Sequence, residues 1–201
     1  MKRLALILVL TALCLGLHAR TAADFFVDAP QSVIPLLDRN ERLDMLDYYR
    51  SQLPPKTTDA VGTPVHIDSE SESLVTLSSA DSAATQLGVI TQGADTLIVV
   101  IETLPISIGD SRVTLYRPGW QPYSKSPVLE PTLSDWLTKE GNARRKEIEE
   151  WLPFMTATAT VDPEAGTVTF TRTIDQYFAR NDQQAAELLP LLKPQLKFNL
   201  K

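Results

Sequence analysis

The stretch TLIVVIETL, residues 96–104, decides the fold of this chain. Successive residues of a β-strand point to opposite faces of the sheet, and here apolar residues occupy both sets of alternating positions. A strand with two apolar faces needs cover on both sides. We therefore predict that this segment lies in the middle of a sheet.

Further short segments rich in β-branched residues surround it in the sequence. Polar or glycine turns such as SADS and TQGADT separate them, which is typical of tight hairpin connections. Strands joined in succession by short turns predict an antiparallel sheet. The expected strands are Val61–Ile67, Ser73–Ser79, Ala83–Ile90 and Ser111–Arg117, with a final edge strand in QLKFNLK, residues 195–201.

Helices are expected at Ala22–Val27, Asn40–Ser51, Ala143–Leu152 and Asp182–Leu189, where apolar residues recur at helical spacing. They group at the ends of the chain and before the last hairpin. This order predicts an α+β fold, an antiparallel sheet of about 7–8 strands with helices packed on one side. A lipocalin-like closed β-barrel is the alternative, because roughly eight strands suffice to close one.

Threonine occupies alternate positions of TATATVDPEAGTVTFTRT, residues 156–173, on both sides of a polar break. The two rows share one face of a hairpin only if paired residue numbers sum to an odd value. That requires a four-residue loop, either Asp162–Ala165 or Pro163–Gly166. We expect the threonine face to be wet and Val168 and Phe170 to face the core.

The chain begins MKRLALILVLTALCLGLHAR. A basic start, an apolar run of about 14 residues and small side chains are typical of a secretory signal peptide, and the run is shorter than a membrane-spanning helix. We expect residues 1–19 to be a signal peptide, with cleavage alternatively as late as Ala23, and 20–201 to be a single α+β domain. The protein is expected in the periplasm or outside the cell. Lipoprotein anchoring through Cys14 is disfavoured because Leu13 makes a poor lipobox.

Charge and cysteine content narrow the class of partner. Cleavage after Ala19 removes Lys2 and Arg3, which takes the net charge from −6 to −8. A dispersed acidic charge disfavours nucleic acid and anionic membrane surfaces. Cys14 is the only cysteine, so the exported part cannot form a disulfide. No second apolar run has spanning length, and no transmembrane segment is expected in the mature chain.

The stretch RNERLDMLDYYRSQL, residues 39–53, follows the leader and a segment holding IPLL. With RLDMLDYY at Arg42–Tyr49, the later GWQPY and the closing LKFN, it resembles the signature of a Bacteroidales family of small secreted proteins of unknown function. The resemblance implies an α+β domain, an exported location and this source. It implies no reaction.

Residue types suited to catalysis are scarce. The exported part holds one histidine, His66, which is interpreted as a partly exposed strand residue and not as part of a Ser-His-Asp triad. DRNERLD has Leu43 where a calcium loop needs glycine, so Asp38 and Asn40 are interpreted as helix caps. We predict no catalytic residue, no metal site and no cofactor.

The proline-rich segment RPGWQPYSKSPVLEPTLSDW, residues 117–136, is the candidate recognition surface. Trp120 and Tyr123 offer rigid area with a polar tip, as at many interfaces. The alternative is that both rings fold back on the sheet. Separately, DSA and DTL match an Asp-Ser/Thr-aliphatic pattern that resembles Bacteroidetes O-glycosylation sites, at Ser82 and Thr96.

The leading hypothesis is an exported envelope protein that binds a protein, peptide or glycan without catalysis. A small hydrolase that uses carboxylates is one alternative, because the separation of two carboxylates is set by the fold. A carrier of a small apolar ligand inside a closed barrel is the other.

Overall fold

The structure, a computed structural model, describes residues 19–79, 83–93, 95–104, 108–152, 154–176, 178 and 186–201. These residues form ten strands and five α-helices. The strands are β1 (Val65–Glu70), β2 (Leu74–Ser79), β3 (Ala84–Gln92), β4 (Asp95–Leu104), β5 (Asp110–Arg117), β6 (Gln121–Pro122), β7 (Val128–Leu129), β8 (Ala157–Asp162), β9 (Thr167–Arg172) and β10 (Gln195–Asn199). The helices are α1 (Ala22–Asp28), α2 (Arg39–Arg50), α3 (Leu133–Trp136), α4 (Lys139–Ala143) and α5 (Arg145–Trp151).

The expected α+β fold with an antiparallel sheet is confirmed. Seven strands form a large sheet in the order β1-β2-β3-β4-β5-β6, with β7 also paired to β5, and three form a small sheet in the order β10-β9-β8. The strand at residues 96–104 lies inside the large sheet, as predicted. The alternative of a closed barrel is wrong, because within the described ranges β1 pairs with β2 alone and the sheet stays open.

Strand β4 separates two hydrophobic cores. Val99 and Ile101 point into the first core, which the small sheet, α3 and α5 cover. Ile98 and Val100 point into the second core, which α1 and α2 cover. Helices therefore lie on both faces of the large sheet, where one face was expected. The physical reason is that both faces of β4 are apolar, so each face must be covered by other elements.

Two capping boxes fix the N-terminal helices. The Thr21 hydroxyl accepts the Asp24 backbone N–H, and the Asp24 carboxylate accepts the Thr21 N–H at 2.8 Å. In α2 the cap is Asp38, whose carboxylate accepts the N–H groups of Asn40 and Glu41. The helix thus begins one residue before the predicted Asn40, since the aspartate reaches the free donors of the first turn.

Strand β1 begins at Val65, four residues later than predicted. The Asp59 carboxylate accepts the N–H groups of Val61 at 3.0 Å and Thr63 at 2.9 Å, which turns the chain before the strand begins. Apolar alternation alone did not reveal this local competition from an aspartate side chain.

The proline-rich segment is more regular than its composition suggests. It holds β6, β7 and α3, which the sequence interpretation left as irregular chain. The helix expected at Ala143–Leu152 corresponds to α5, which begins at Arg145. A further helix that was not predicted, α4, precedes it, and the Thr138 hydroxyl caps α4 by accepting the Gly141 N–H. The helix expected at Asp182–Leu189 lies largely outside the described residues, which there show a short 3-10 helix at Leu189–Leu191.

The register predicted for the threonine hairpin is confirmed. Thr158 pairs with Thr171 and Thr160 with Thr169, around the four-residue loop Pro163–Gly166. The threonine face of the hairpin is exposed to solvent only in its middle, at Thr160 and Thr171. At the ends of the strands the threonines at 156, 167 and 173 are buried.

Side chains of the large sheet hold the outer edge of β8. The Gln86 amide accepts the Val161 N–H and donates to the Ala159 carbonyl, both at 3.2 Å. Ser111 accepts the Ala159 N–H at 2.9 Å, and Asp110 accepts the Ala157 N–H at 3.2 Å. The backbone N–H and C=O groups at this edge of the small sheet thus obtain hydrogen bonds from side chains of the large sheet.

Candidate functional site

A half-open groove of about 1130 Å³ runs beside the outer edge of β5. Its lining comes from the ends of β4 and β5, from β7 and the turn after it, from α3 and α5, and from the segment that leads into β8. We call it the β5 groove. Its position places strand backbone, apolar side chains and carboxylates around one space.

The floor of the β5 groove is apolar. Trp136, Leu152 and Phe170 reach it from the first core, where each is at least 96% buried, and Leu129 and Met155 are half-buried beside them. Side chains this rigid form fixed contact surface at low entropic cost. The groove can therefore hold an apolar side chain of a ligand.

Helix α3 brings Trp136 to this floor. The helix begins at a capping box in which the Asp135 carboxylate accepts the Thr132 hydroxyl and the Thr132 N–H, each at 2.7 Å. The Thr132 hydroxyl first, and then its backbone N–H, hold the pKa of Asp135 below the ordinary value of 3.8. The Lys193 ammonium donates to the Asp135 carbonyl at 2.7 Å and ties α3 to the chain before β10.

The charged side chains that line the groove are mostly acidic. It includes the carboxylates of Glu102, Asp110, Glu130 and Glu149 and a single cation, Arg112. Asp110 is already engaged by the Ala157 N–H. Glu149 pairs with a neighbouring guanidinium, Arg145, at 2.7 Å.

Glu102 and Arg112 face each other across β4 and β5. Both act on the Tyr116 hydroxyl. Burial and then the Glu102 charge raise the pKa of this hydroxyl, and the Arg112 charge lowers it by a smaller amount. Glu130 is exposed, and no cation of the described chain lies within 4.0 Å of it. The groove therefore retains an uncompensated carboxylate on its rim.

The two aromatic residues predicted as a recognition surface lie in different surroundings. Trp120 is half-buried and meets Tyr116 and Phe25 edge to face, with ring centroids 5.5 Å and 6.4 Å apart. Tyr123 is 45% exposed, and the Arg117 guanidinium lies 5.0 Å from its ring centroid. Trp120 thus folds back on the second core, and neither residue lines the β5 groove. Their role in binding stays a prediction.

His66 meets a serine and an aspartate on the surface of β1 and β2. Its Nε2 atom lies 3.1 Å from Asp68 Oδ1 and 3.3 Å from Ser78 Oγ, and Ser78 donates to Asp68 at 2.9 Å. In a catalytic triad the serine and the aspartate bond different ring nitrogens. Here both approach Nε2 and the hydroxyl donates to the carboxylate, so the cluster joins two strands and does not activate a nucleophile.

The two predicted glycosylation positions are placed as follows. Thr96 is half-buried, pairs with Thr91 and belongs to β4, one residue beyond the strand's start. Ser82 lies outside the described residues, as do Cys14 and the predicted signal peptide through residue 18. Modification at both positions stays a prediction.

No group of three or more His, Cys, Asp and Glu side chains in the described part of the chain is placed to hold a metal ion. No helix among those residues is long and apolar enough to cross a membrane.

Sequence reasoning missed the β5 groove, because its residues come from segments far apart in the chain. The available signal was the spacing of Pro127 and Pro131 on either side of Val128–Leu129. A two-residue strand between prolines indicates an interrupted sheet edge. Nothing local in the sequence indicates that α5 and the β8 lead-in close the other side.

Comparisons with known proteins agree with the fold and add no activity. A solved domain of an uncharacterized protein from Porphyromonas gingivalis W83 is similar over 88% of this chain and 93% of that one, with a TM-score of 0.66 at 18% identity. At this identity the likeness shows the fold alone. No curated protein matches.

The family, by contrast, is shown. A family model described as "Protein of unknown function (DUF3256)" matches residues 14–199. The expectation of a family without assigned function is confirmed at that level, and its secreted status and the Arg42–Tyr49 signature stay predictions. Since the match spans nearly the whole sequence, the chain belongs to the DUF3256 family of proteins of unknown function.

Proposed function

We propose that this protein is an exported envelope protein that binds a partner in the β5 groove without transforming it. The observation that carries the proposal is the groove itself, a half-open space of about 1130 Å³ with an apolar floor and a polar rim. Pockets for small molecules usually measure about 300–1,000 Å³ and enclose most of their ligand. An open groove above that size suits part of a polymer, as in a protein, peptide or glycan.

The polar groups of the groove support a binding role. Asp110 and Ser111 accept backbone N–H groups of β8, and Glu149 is held by Arg145. These side chains are committed to positioning the walls, and a rigid wall favours recognition because little order must be gained on binding. The serine and histidine that meet at β1 and β2 do not line this groove.

The N-terminal packing supports processing after Ala19. Ala22 and Ala23 are at least 97% buried, and the Ala22 N–H donates to the Glu72 carbonyl at 2.7 Å. The Thr21–Asp24 capping box begins α1 in the same segment. Cleavage after Ala23 would remove these contacts, whereas cleavage after Ala19 leaves them in place.

Export and binding are tested separately. Fractionation of the native host, followed by N-terminal sequencing, should recover a chain that begins at Arg20 in the periplasm or medium. An unprocessed chain in the cytoplasm would refute export. For binding, isotope-labelled protein is titrated with defined peptides and envelope glycans. Resonances of the β5 groove should shift while mass spectrometry finds the ligand intact, and shifts confined to other surfaces would refute the role of the groove.

A carboxylate-dependent hydrolase is the second candidate, favoured by the acidic lining of the same groove. Glu102 and Glu130 are the lining carboxylates that accept no hydrogen bond from the described residues of β8 or α5. A ligand recovered cleaved, with cleavage abolished in both Glu102→Gln and Glu130→Gln, would establish it. Intact ligand at saturating protein would exclude it for that ligand. The third alternative was a carrier that holds a small apolar ligand inside a closed barrel. The sheet is open, so the structure does not support this alternative.

A further inference from the structure

The outer edge of β5 has one interruption, and it opens into the β5 groove. Residues 116–117 pair with β6 and residues 113–114 with β7. At the other end the Gly109 carbonyl accepts the Thr173 hydroxyl at 2.8 Å. Between them, residues 110–112 have no strand partner on this side in the part of the chain that the structure describes.

The backbone groups of Ser111 are the ones that face the interruption. The Leu115 N–H donates outward to the Pro127 carbonyl at 2.9 Å, and backbone groups of a strand alternate in direction with period two. Residues 111, 113 and 115 therefore present their N–H and C=O groups to the outer edge. Only Ser111 among these three does so without a partner from the described residues.

The positions of two prolines are consistent with the interruption. The register of β5 with β7 pairs Val113 with Leu129. Continued in both directions, that register would set Leu115 opposite Pro127 and Ser111 opposite Pro131. Proline has no N–H to donate to the facing carbonyl. At Leu115 the Tyr123 N–H supplies the missing donor at 3.0 Å. At Ser111 the chain supplies none and β7 ends at Leu129, two residues earlier.

We propose that the β5 groove accepts an extended polypeptide segment that adds a strand beside Ser111 and carries a basic side chain. This inference rests on the proposed binding function and names the class of partner. An added strand offers a donor and an acceptor together, which match the open N–H and C=O of Ser111. A glycan or an apolar molecule lacks that paired, evenly spaced pattern.

The remainder of the groove fits such a segment. Alternate side chains of an added strand point to opposite faces. One set meets the apolar floor formed by Trp136, Leu129 and Phe170. The basic side chain is favoured by the rim, where the unpaired Glu130 and the other three carboxylates outnumber Arg112. Like-charged acidic segments are disfavoured by the same rim.

The test uses the peptide acetyl-Leu-Lys-Val-Lys-Leu-amide and the purified full protein, observed by NMR titration. Two analogues are N-methylated, one at valine and one at both lysines. Since alternate residues of a strand face opposite edges, one analogue should lose about tenfold or more in affinity while the other keeps it. An acidic analogue with glutamate in place of lysine should also bind at least about tenfold more weakly.

Matched protein variants place the peptide. Glu130→Lys should weaken the lysine peptide about tenfold and strengthen the acidic analogue. Asp44→Lys, an equal charge change at an exposed position of α2 on the other face of the sheet, should leave both affinities within about twofold. Thermal unfolding of both variants checks that each is folded.

Three outcomes would overturn the inference: neither N-methylated analogue binds more weakly, Glu130→Lys changes binding no more than Asp44→Lys, or no peptide shifts the groove resonances. If a glycan alone shifts those resonances, the partner class is refuted and the proposed binding function stands. If neither peptides nor glycans shift them, both fail.

Discussion

Replacement of Gln86 by leucine is expected to destabilise the protein by separating the small sheet from the large one. The Gln86 amide is the one side chain that both accepts from β8, at Val161 N–H, and donates to it, at the Ala159 carbonyl, in the described structure. Leucine matches the volume closely but offers neither bond. The change therefore isolates the polar connection between the two layers.

The magnitude follows from the burial of the groups left behind. Val161 is 7% exposed and Ala159 is 2% exposed, so water reaches the abandoned N–H and C=O poorly. An unsatisfied buried polar group costs about 1–3 kcal/mol. Two such groups, partly relieved by the added apolar contact of leucine, give an expected loss of about 2–4 kcal/mol. For a chain of this length that corresponds to a fall in Tm of roughly 4–16 °C.

The assay is urea unfolding followed by circular dichroism, with the m-value compared between variants. Gln92→Leu is the matched control in the same strand, because its amide makes only an exposed hydrogen bond, at 3.4 Å, to the Leu200 carbonyl. We expect it to change the free energy of unfolding by less than about 0.5 kcal/mol. A Gln86→Leu variant within that same range, at an unchanged m-value, would refute the idea that this amide holds the layers together.

Two further predictions concern stability. Gly141→Ala should cost about 1–3 kcal/mol, because a Cβ there would overlap the Leu191 carbonyl, whereas Asn142→Ala at an exposed position of the same helix should cost less than about 0.5 kcal/mol in the same unfolding assay. The Thr21 N–H lowers the pKa of Asp24 below 3.8, so its stabilising contribution is present above that pH and is lost as the pH falls through the lowered pKa. Thermal unfolding of Asp24→Asn should thus lie below wild type at neutral pH and converge with it in acid; a gap that stays constant would contradict this.

The pattern of β4 was sufficient to predict the centre of the fold. Its two apolar faces require two cores. The structure has both: Val99 belongs to the first core and Ile98 to the second. The hairpin register was also predictable, since strand periodicity has a fixed value of two and a one-residue slip would bury the threonines. In both cases the prediction combined the period-two alternation of a strand with the need to bury its apolar side chains.

The candidate site was not predictable in the same way. Pro127 and Pro131 flank β7, but only the observed pairing of Val113 with Leu129 reveals that β7 ends before it reaches Ser111. Equally, the sequence does not indicate that Gln86 would reach a strand 75 residues later. Contacts of this kind depend on how layers pack, and no local propensity encodes that arrangement.

Hydrogen exchange at the Ser111 amide tests the central claim most directly. Without peptide, this N–H should exchange much faster than the amide of Val113, which pairs with β7. With saturating acetyl-Leu-Lys-Val-Lys-Leu-amide, its exchange should slow towards that of Val113. A Ser111 amide that is already protected in the free protein, or that remains unprotected at saturation, would contradict the account.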